Sequence, residues 1–393
     1  MNRSFRYELR PTARQAQSLL VLLDAQRELY NAALEERIGA WKWERRPVSY
    51  FDQCRTLTEL RTVRPDVLIC GVKVCRGTLK RLDRAFQAFY RRCRSGETPG
   101  YPRFKGKHRW DSVQWEDIAG WKVTDAGRLY LRGVGHVKLN LHRPLRGVPK
   151  AITVKREGRR WYVSIRCVDV PAQPLPTTGM SVGIDRGIIA FVATSDGELV
   201  DNERFGRRAA QRLTAGQQDL ARKKRGSRRR RLAVERVAAH HRRVRHQRAD
   251  FAHKLSRRLV NDHDVIVLED LRVANMVRRP KPRPNDEGGF DPNGASAKAG
   301  LNRSIHDAGW ASLAQMVFYK AEDAGRDVIL VPAAHTSQTC AECGHVAAGN
   351  RHETTFRCLV CGHSDHADVN AARNILRAGL ALRDAPADRE AQH

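Results

Sequence analysis

Phe5, Tyr7 and Leu9 alternate with Arg6 and Glu8 up to Arg10-Pro11, a period of two that predicts a half-buried strand. Beyond the proline, Leu19, Leu22, Leu23, Leu29, Tyr30, Ala33 and Leu34 recur at threes and fours, so the period becomes helical. Ser49 is placed to cap a second helix that carries Phe51, Cys54, Leu57 and Leu60. A third helix is the clearest: Cys75, Leu79, Leu82, Phe86 and Phe89 form an apolar seam, while Lys73, Lys80, Arg84 and Arg91 fall on a separate face.

From Thr98 the helical period stops at a run of prolines, glycines, aromatics and cations, Pro99 to Lys107. Period two returns in Val137-Leu139-Leu141, in Ile152-Thr153-Val154 and in Trp161-Val163-Ile165-Cys167, with Glu157-Gly158 as a turn. These segments predict a small β-barrel or sandwich closed by the N-terminal strand, with the helical block inserted into it. Pro171 to Pro176 reads as a linker.

The second half is patterned differently. Met180–Asp185, Ile188–Thr194 and Glu198–Val200 predict three antiparallel strands, the last two joined by the hairpin turn Ser195-Asp196-Gly197. A basic helical stretch runs from Phe205 to Asp262 with a break at Gly226-Ser227, and Phe251, Leu255 and Leu259 give it one packing face. Buried strands follow at Val265–Glu269 and Asp327–Val331, around a helix expected from Ile305 to Ala324. Arg278 to Gly300, rich in Pro, Gly and Asn, predicts a mobile loop. The order βββ-α-β-α-β-α is that of a ribonuclease H-like fold, so the chain is expected to be α/β and multidomain.

Charge sharpens this picture. Lys and Arg total 72 against 43 Asp and Glu, a formal net charge of +29, and such an excess repels itself unless a polyanion neutralises it. Nucleic acid is the expected partner. No apolar run approaches bilayer length, and Met1 to Arg6 lacks the apolar core of a signal peptide, so the expected location is the cytoplasm. Of nine cysteines, Cys54, Cys70, Cys75, Cys93 and Cys167 read as small reduced core residues. The other four, Cys340, Cys343, Cys358 and Cys361, form two Cys-x2-Cys knuckles separated by fourteen residues, the spacing of a closed structural Zn²⁺ site. His345, His363 and His366 are surplus donors nearby.

Three acids carry the candidate chemistry. Asp185 ends the first strand of the second half, Glu269 ends the strand after the basic helices, and Asp368 opens the last helix. Taken singly, they read as a turn residue, a salt-bridge partner and a helix cap. In a ribonuclease H-like sheet the first two strands are central neighbours, so the three carboxylates can converge. Converging carboxylates repel unless divalent cations lie between them, and two Mg²⁺ would supply an activated water and a stabilised leaving 3′ oxygen for phosphodiester hydrolysis. Asp270, Asp307 and Asp365 keep the readings of helix cap, surface acid and surface acid.

Gly183-Ile184-Asp185-Arg186-Gly187, Val267-Leu268-Glu269-Asp270-Leu271, Ser304 to Trp310, the four-cysteine ribbon and Ala367 to Asn374 together resemble the OrfB/TnpB family of insertion sequences, relatives of the Cas12 effectors. Pro99 to Lys107 is similar to that family's Gly-Phe-Pro-Arg-Phe segment, and the segment Arg278–Gly300 is longer than the family's. The resemblance implies a wedge domain at 1–10 and 98–176 carrying a helical recognition domain at 11–97. It implies a RuvC nuclease at 177–335 and 364–393, interrupted by a zinc ribbon at 336–363. It further implies a guide RNA, a target double-stranded DNA with a short flanking motif, and Mg²⁺-dependent cutting at Asp185, Glu269 and Asp368. Two alternatives stay open: an RNA-guided repressor whose nuclease is inactive, and a transposon-encoded transposase.

Overall fold

A computed structural model of the chain describes residues 1–64, 69–107, 109–286 and 288–385, and the tail expected after these lies outside the described residues. Two compact units divide between Pro171 and Ala172.

The first unit has β1 (Arg3–Arg10), α1 (Ala13–Glu44), α2 (Tyr50–Val63), α3 (Val72–Arg94), β2 (Ser112–Trp115), β3 (Trp121–Thr124), β4 (Arg128–Leu131), β5 (Gly135–Asn140), β6 (Val148–Glu157) and β7 (Arg160–Val168). Thr12 and Gln15 cap α1 reciprocally, and Ser49 and Asp52 do the same for α2, so both helix starts satisfy their free N–H groups. All strands join one antiparallel sheet in the order β2-β6-β7-β1-β5-β4-β3. The N-terminal strand therefore lies near the middle of the sheet, with Phe5 opposite Ile165 and Leu9 opposite Leu139. Leu22, Tyr30, Leu79, Leu82 and Phe86 of the helices share one core with Phe5, Tyr7, Trp115 and Val163 of the strands. Of the five cysteines expected inside, Cys70, Cys75 and Cys167 are buried, Cys54 is half-buried, and Cys93 is exposed because it falls on the outer face of the last turn of α3.

The second unit has β8 (Ser181–Asp185), β9 (Ala190–Thr194), β10 (Leu199–Asp201), α4 (Phe205–Ala221), α5 (Arg228–Asp262), β11 (Val265–Glu269), α6 (Val273–Met276), α7 (Ala295–Ala308), α8 (Trp310–Ala324) and β12 (Asp327–Val331). It ends with β13 (Arg351–His352), β14 (Thr355–Arg357), β15 (Ser364–His366) and α9 (Ala367–Asp384). The main sheet has the order β10-β9-β8-β11-β12, in which β8, β9 and β10 are antiparallel while β11 and β12 run parallel to β8. This is the ribonuclease H-like arrangement. Alternation along β11 feeds two cores: Ile266 and Leu268 pack with Leu255, Leu259, Leu313 and Val317 of α5 and α8, while Val265 and Val267 pack with Ile375 of α9.

Further expectations change. The helix expected over Ile305–Ala324 is broken at Gly309, whose φ of +72° ends α7 and starts α8. The last part of the expected loop, from Ala295, already belongs to α7. The segment read as a linker is tied to this unit, with Gln173 N donating to Asp323 O at 2.8 Å and Leu175 N to Ala324 O at 3.0 Å. Asp307 is not a surface acid: it accepts from Gly206 N at 2.8 Å, Arg207 N at 3.0 Å and Arg248 Nε at 3.0 Å, and so ties the start of α4 to α5 and α7. Its partners come from two distant segments, which no local pattern announces.

Candidate active site and metal centre

Parallel pairing of β8 with β11 puts Leu268 opposite Ile184, so Glu269 and Asp185 are the next residues at the carboxyl ends of neighbouring central strands. What brings Asp368 there is glycine. A Cβ on Gly183 would lie 2.1 Å from Ala372 O, and one on Gly379 would lie 2.4 Å from Val267 Cγ1. Only a bare backbone at these two points lets α9 lie directly on β8 and β11, and its first turn then falls beside the strand ends.

The three acids are held differently. Asp368, 6% exposed, is met by Arg351 Nη2 at 2.7 Å, and its own N–H donates to His366 Nδ1 at 3.2 Å in the first turn of α9. Glu269, also 6% exposed, accepts from Thr336 Oγ1 at 2.7 Å, and its backbone carbonyl accepts from the buried Arg186 guanidinium. Asp185 is pushed up to about 7, first by burial and then by the charges of Glu269 and Asp368, with Arg351 opposing. Glu269 is raised too, by burial, against the Thr336 hydrogen bond and the Arg186 charge. Asp185, crowded by the charges of the other two carboxylates, is short of positive charge, which is the condition a divalent cation relieves.

Supporting residues explain two of the sequence motifs. Trp310 Nε1 donates to Gly187 O at 3.1 Å and pins the turn that follows Asp185. Asn370 and Asn374, one turn apart on α9, hold the irregular segment leading into the ribbon: Asn370 Nδ2 donates to Thr339 O at 2.8 Å, and Asn374 Nδ2 donates to Thr336 O at 3.0 Å and Thr339 O at 2.6 Å. That clamp positions Thr336 for Glu269. Thr336, Arg186 and Arg351 were absent from the sequence-derived site. Buried asparagines at i and i+4 in a helix were a usable signal for the clamp, since asparagine is a poor interior helix former. Thr336 and Arg351 reach the acids only through the fold.

The four cysteines do converge. Their Sγ atoms all lie within 4.8 Å of one another, with Cys340 and Cys361 3.7 Å apart and Cys343 and Cys358 3.5 Å apart. A tetrahedral thiolate site with arms of about 2.3 Å has edges just under about 4 Å, so the set fits zinc and leaves no ligand position open. The two knuckles repeat one turn: Cys340 N donates to His345 O and Gly344 N to Cys340 O, and likewise Cys358 N to His363 O and Gly362 N to Cys358 O. The backbone N–H groups of Cys361 and Val360 bring the Cys358 thiol down to about 6, towards the thiolate that a metal requires. Among the described residues this is the group drawn to metal-liganding proximity.

Known proteins resemble this chain along most of its length. The OrfB_IS605 family model, described as "Probable transposase", matches residues 164–279, and a model described as "Cas12f1-like, TNB domain" matches 310–375. A third, described as a helix-turn-helix domain, matches 1–46, where the structure has β1 and one unbroken helix, α1. A Streptomyces pristinaespiralis protein named "Putative RNA-guided DNA endonuclease" is 35% identical, with 97% of this chain and 90% of that protein covered. InsQ of Escherichia coli (strain K12), named in the same terms, is 30% identical over 96% of this chain and 92% of its own. Among solved structures, the CRISPR-Cas_phi3 mini-RNA-guided endonuclease aligns with 97% of this chain and 92% of its own at a TM-score of 0.45 and 10% identity, too loose a likeness for residue correspondence. On the strength of the two full-length relatives, the chain belongs to the TnpB (OrfB_IS605) family.

Proposed function

We propose that the protein is an RNA-guided DNA endonuclease whose hydrolytic centre is Asp185, Glu269 and Asp368. The observation that carries this reading is the meeting of those three acids at the carboxyl ends of the central strands, in a chain whose relatives are named RNA-guided DNA endonucleases. Divalent cations, Mg²⁺ in the cell, held by the three carboxylates would supply an activated water and a stabilised leaving 3′ oxygen. Thr336 fixes the rotamer of Glu269, Arg186 balances the acid pair from within the sheet edge, and Arg351 holds Asp368 in its place. The cysteine ribbon carries a structural Zn²⁺ and presents Arg351 to the acids. Sequence choice belongs to guide–target pairing, with the protein gripping backbone phosphates and reading a short flanking motif. The sheet and helices of the first unit would serve as the wedge and recognition parts that hold the guide.

The test is cleavage of a duplex matched to RNA that copurifies with the protein, with and without Mg²⁺. Cutting is expected only with both, and Asp185→Ala, Glu269→Ala or Asp368→Ala should each abolish it while target binding stays near wild type. Binding without cutting in wild type would leave the repressor reading, and cutting or strand joining without RNA would favour the transposase that the family model's description names.

A further inference from the structure

The inner face of α8 is apolar at Leu313, Val317, Ala321 and Ala324, yet it carries Lys320, which is 5% exposed. A charge so placed is costly unless compensated. Its Nζ donates to His253 O at 2.6 Å and Ser256 Oγ at 2.7 Å, both neutral acceptors on α5. An ammonium has three protons, and the third has no acceptor among the described residues. Among the described residues no carboxylate pairs with it either.

Lys320 forms part of a shallow, open groove of about 560 Å³ whose other cations, Lys254, Arg257 and Arg258, come from the last turns of α5. Lys254 is paired with Asp250 at 2.7 Å and Arg258 with Glu198 at 2.7 Å. Arg257 has no acidic partner among the described residues, and Asp262 is the one carboxylate in the lining. Burial, and then the charge of Arg257, bring the Lys320 ammonium down to about 8. The fold thus holds two uncompensated cations against each other, a local conflict that an anion would remove.

We infer that this groove is a phosphate site that grips the backbone of the bound nucleic acid, with Lys320 in its wall and Arg257 as the second cation. A shallow, open groove does not enclose a free anion. It suits a phosphate delivered on a polymer, and the same helix begins with Arg228, Arg229, Arg230 and Arg231 in a chain of net charge +29. The site shares no residue with the acid centre. The inference rests on the nucleic-acid function proposed above and adds a location to it.

The test measures affinity from low to high KCl in two arms: the protein with its copurifying RNA, and the RNA-loaded protein with target duplex. Arg257→Gln and Lys320→Met should each flatten the log–log slope by about 0.7 to 0.9, the contribution of one phosphate contact, in whichever arm's polymer occupies the groove. Arg383→Gln, an exposed residue at the end of α9, should leave both slopes unchanged. A Lys320→Met protein that fails to melt cooperatively is set aside, and Arg257→Gln then decides. Wild-type slopes for the variants in both arms would overturn the site while leaving the proposed function standing, and so would an effect confined to calorimetric binding of inorganic phosphate. Wild-type protein that binds neither RNA nor DNA would overturn both.

Discussion

The cysteine ribbon and the acid centre lie in one unit and adjoin at Arg351, yet they are built on opposite principles. Every ribbon ligand falls between residues 340 and 361, and two repeated turns present the thiols within that short span. The acid centre draws Asp185, Glu269 and Asp368 from two strands and a helix, and its closeness depends on parallel pairing and on glycines that seat α9 on the sheet. The ribbon's ligands already approach one another closely enough to share an ion, whereas the acids lean on Arg351, Arg186 and Thr336. A local site is set by spacing, and a distant one by topology and counter-charge.

If the ribbon supports the acid centre, breaking the local site must break the distant one. Cys340→Ala with Cys361→Ala should reduce bound zinc from one equivalent to near none, because structural zinc sites fold only with metal. Cleavage should fall below detection, since Arg351 and the segment from Thr336 to Ala341 lose their frame. Metal analysis beside a cleavage assay checks this. Full zinc occupancy in the double variant, or wild-type cutting without zinc, would separate the two sites.

How much was legible follows the same division. The cysteine spacing, the strand-ending positions of Asp185 and Glu269 and the helix-opening position of Asp368 were readable, because each is a local pattern. The ribonuclease H-like order was readable from the alternation of periods. Thr336 and Arg351 were not, since a threonine in an irregular segment and an arginine in a two-residue strand have no distinguishing period. Arg186 stood inside a recognised motif, but only burial marks it as more than a surface cation. Asp307 was misread for the converse reason: its partners at residues 206, 207 and 248 meet it only in the folded chain.

A smaller effect tests the supporting hydrogen bond alone. Thr336→Val keeps the shape and removes the donor to Glu269 Oε1, so cleavage should slow by about 10- to 100-fold, the usual cost of losing a group that orients a metal-holding side chain. The loss should be partly recovered at higher Mg²⁺, and Thr336→Ser should cut at close to the wild-type rate. An unaltered rate for Thr336→Val would mean that burial alone positions Glu269.

The smallest effect concerns stability rather than rate, and it separates the two sites by sign. Removing a cysteine removes a ligand that organises its surroundings. Removing the Asp185 charge should instead relieve repulsion in metal-free protein. Its folded value near 7 lies above the ordinary 3.8, so between those values the folded state binds the extra proton, and stability is lost as pH rises through that window. Asp185→Asn should therefore raise the melting temperature of chelator-treated protein by a few degrees at pH 8, by less at pH 6, and not at all near pH 4, while abolishing cleavage. Excess Mg²⁺ should narrow the gap by stabilising wild type alone, since a cation that binds only the folded state adds to its stability. A variant less stable than wild type at pH 8 without metal would show that Asp185 is held by favourable contacts and not strained against Glu269 and Asp368.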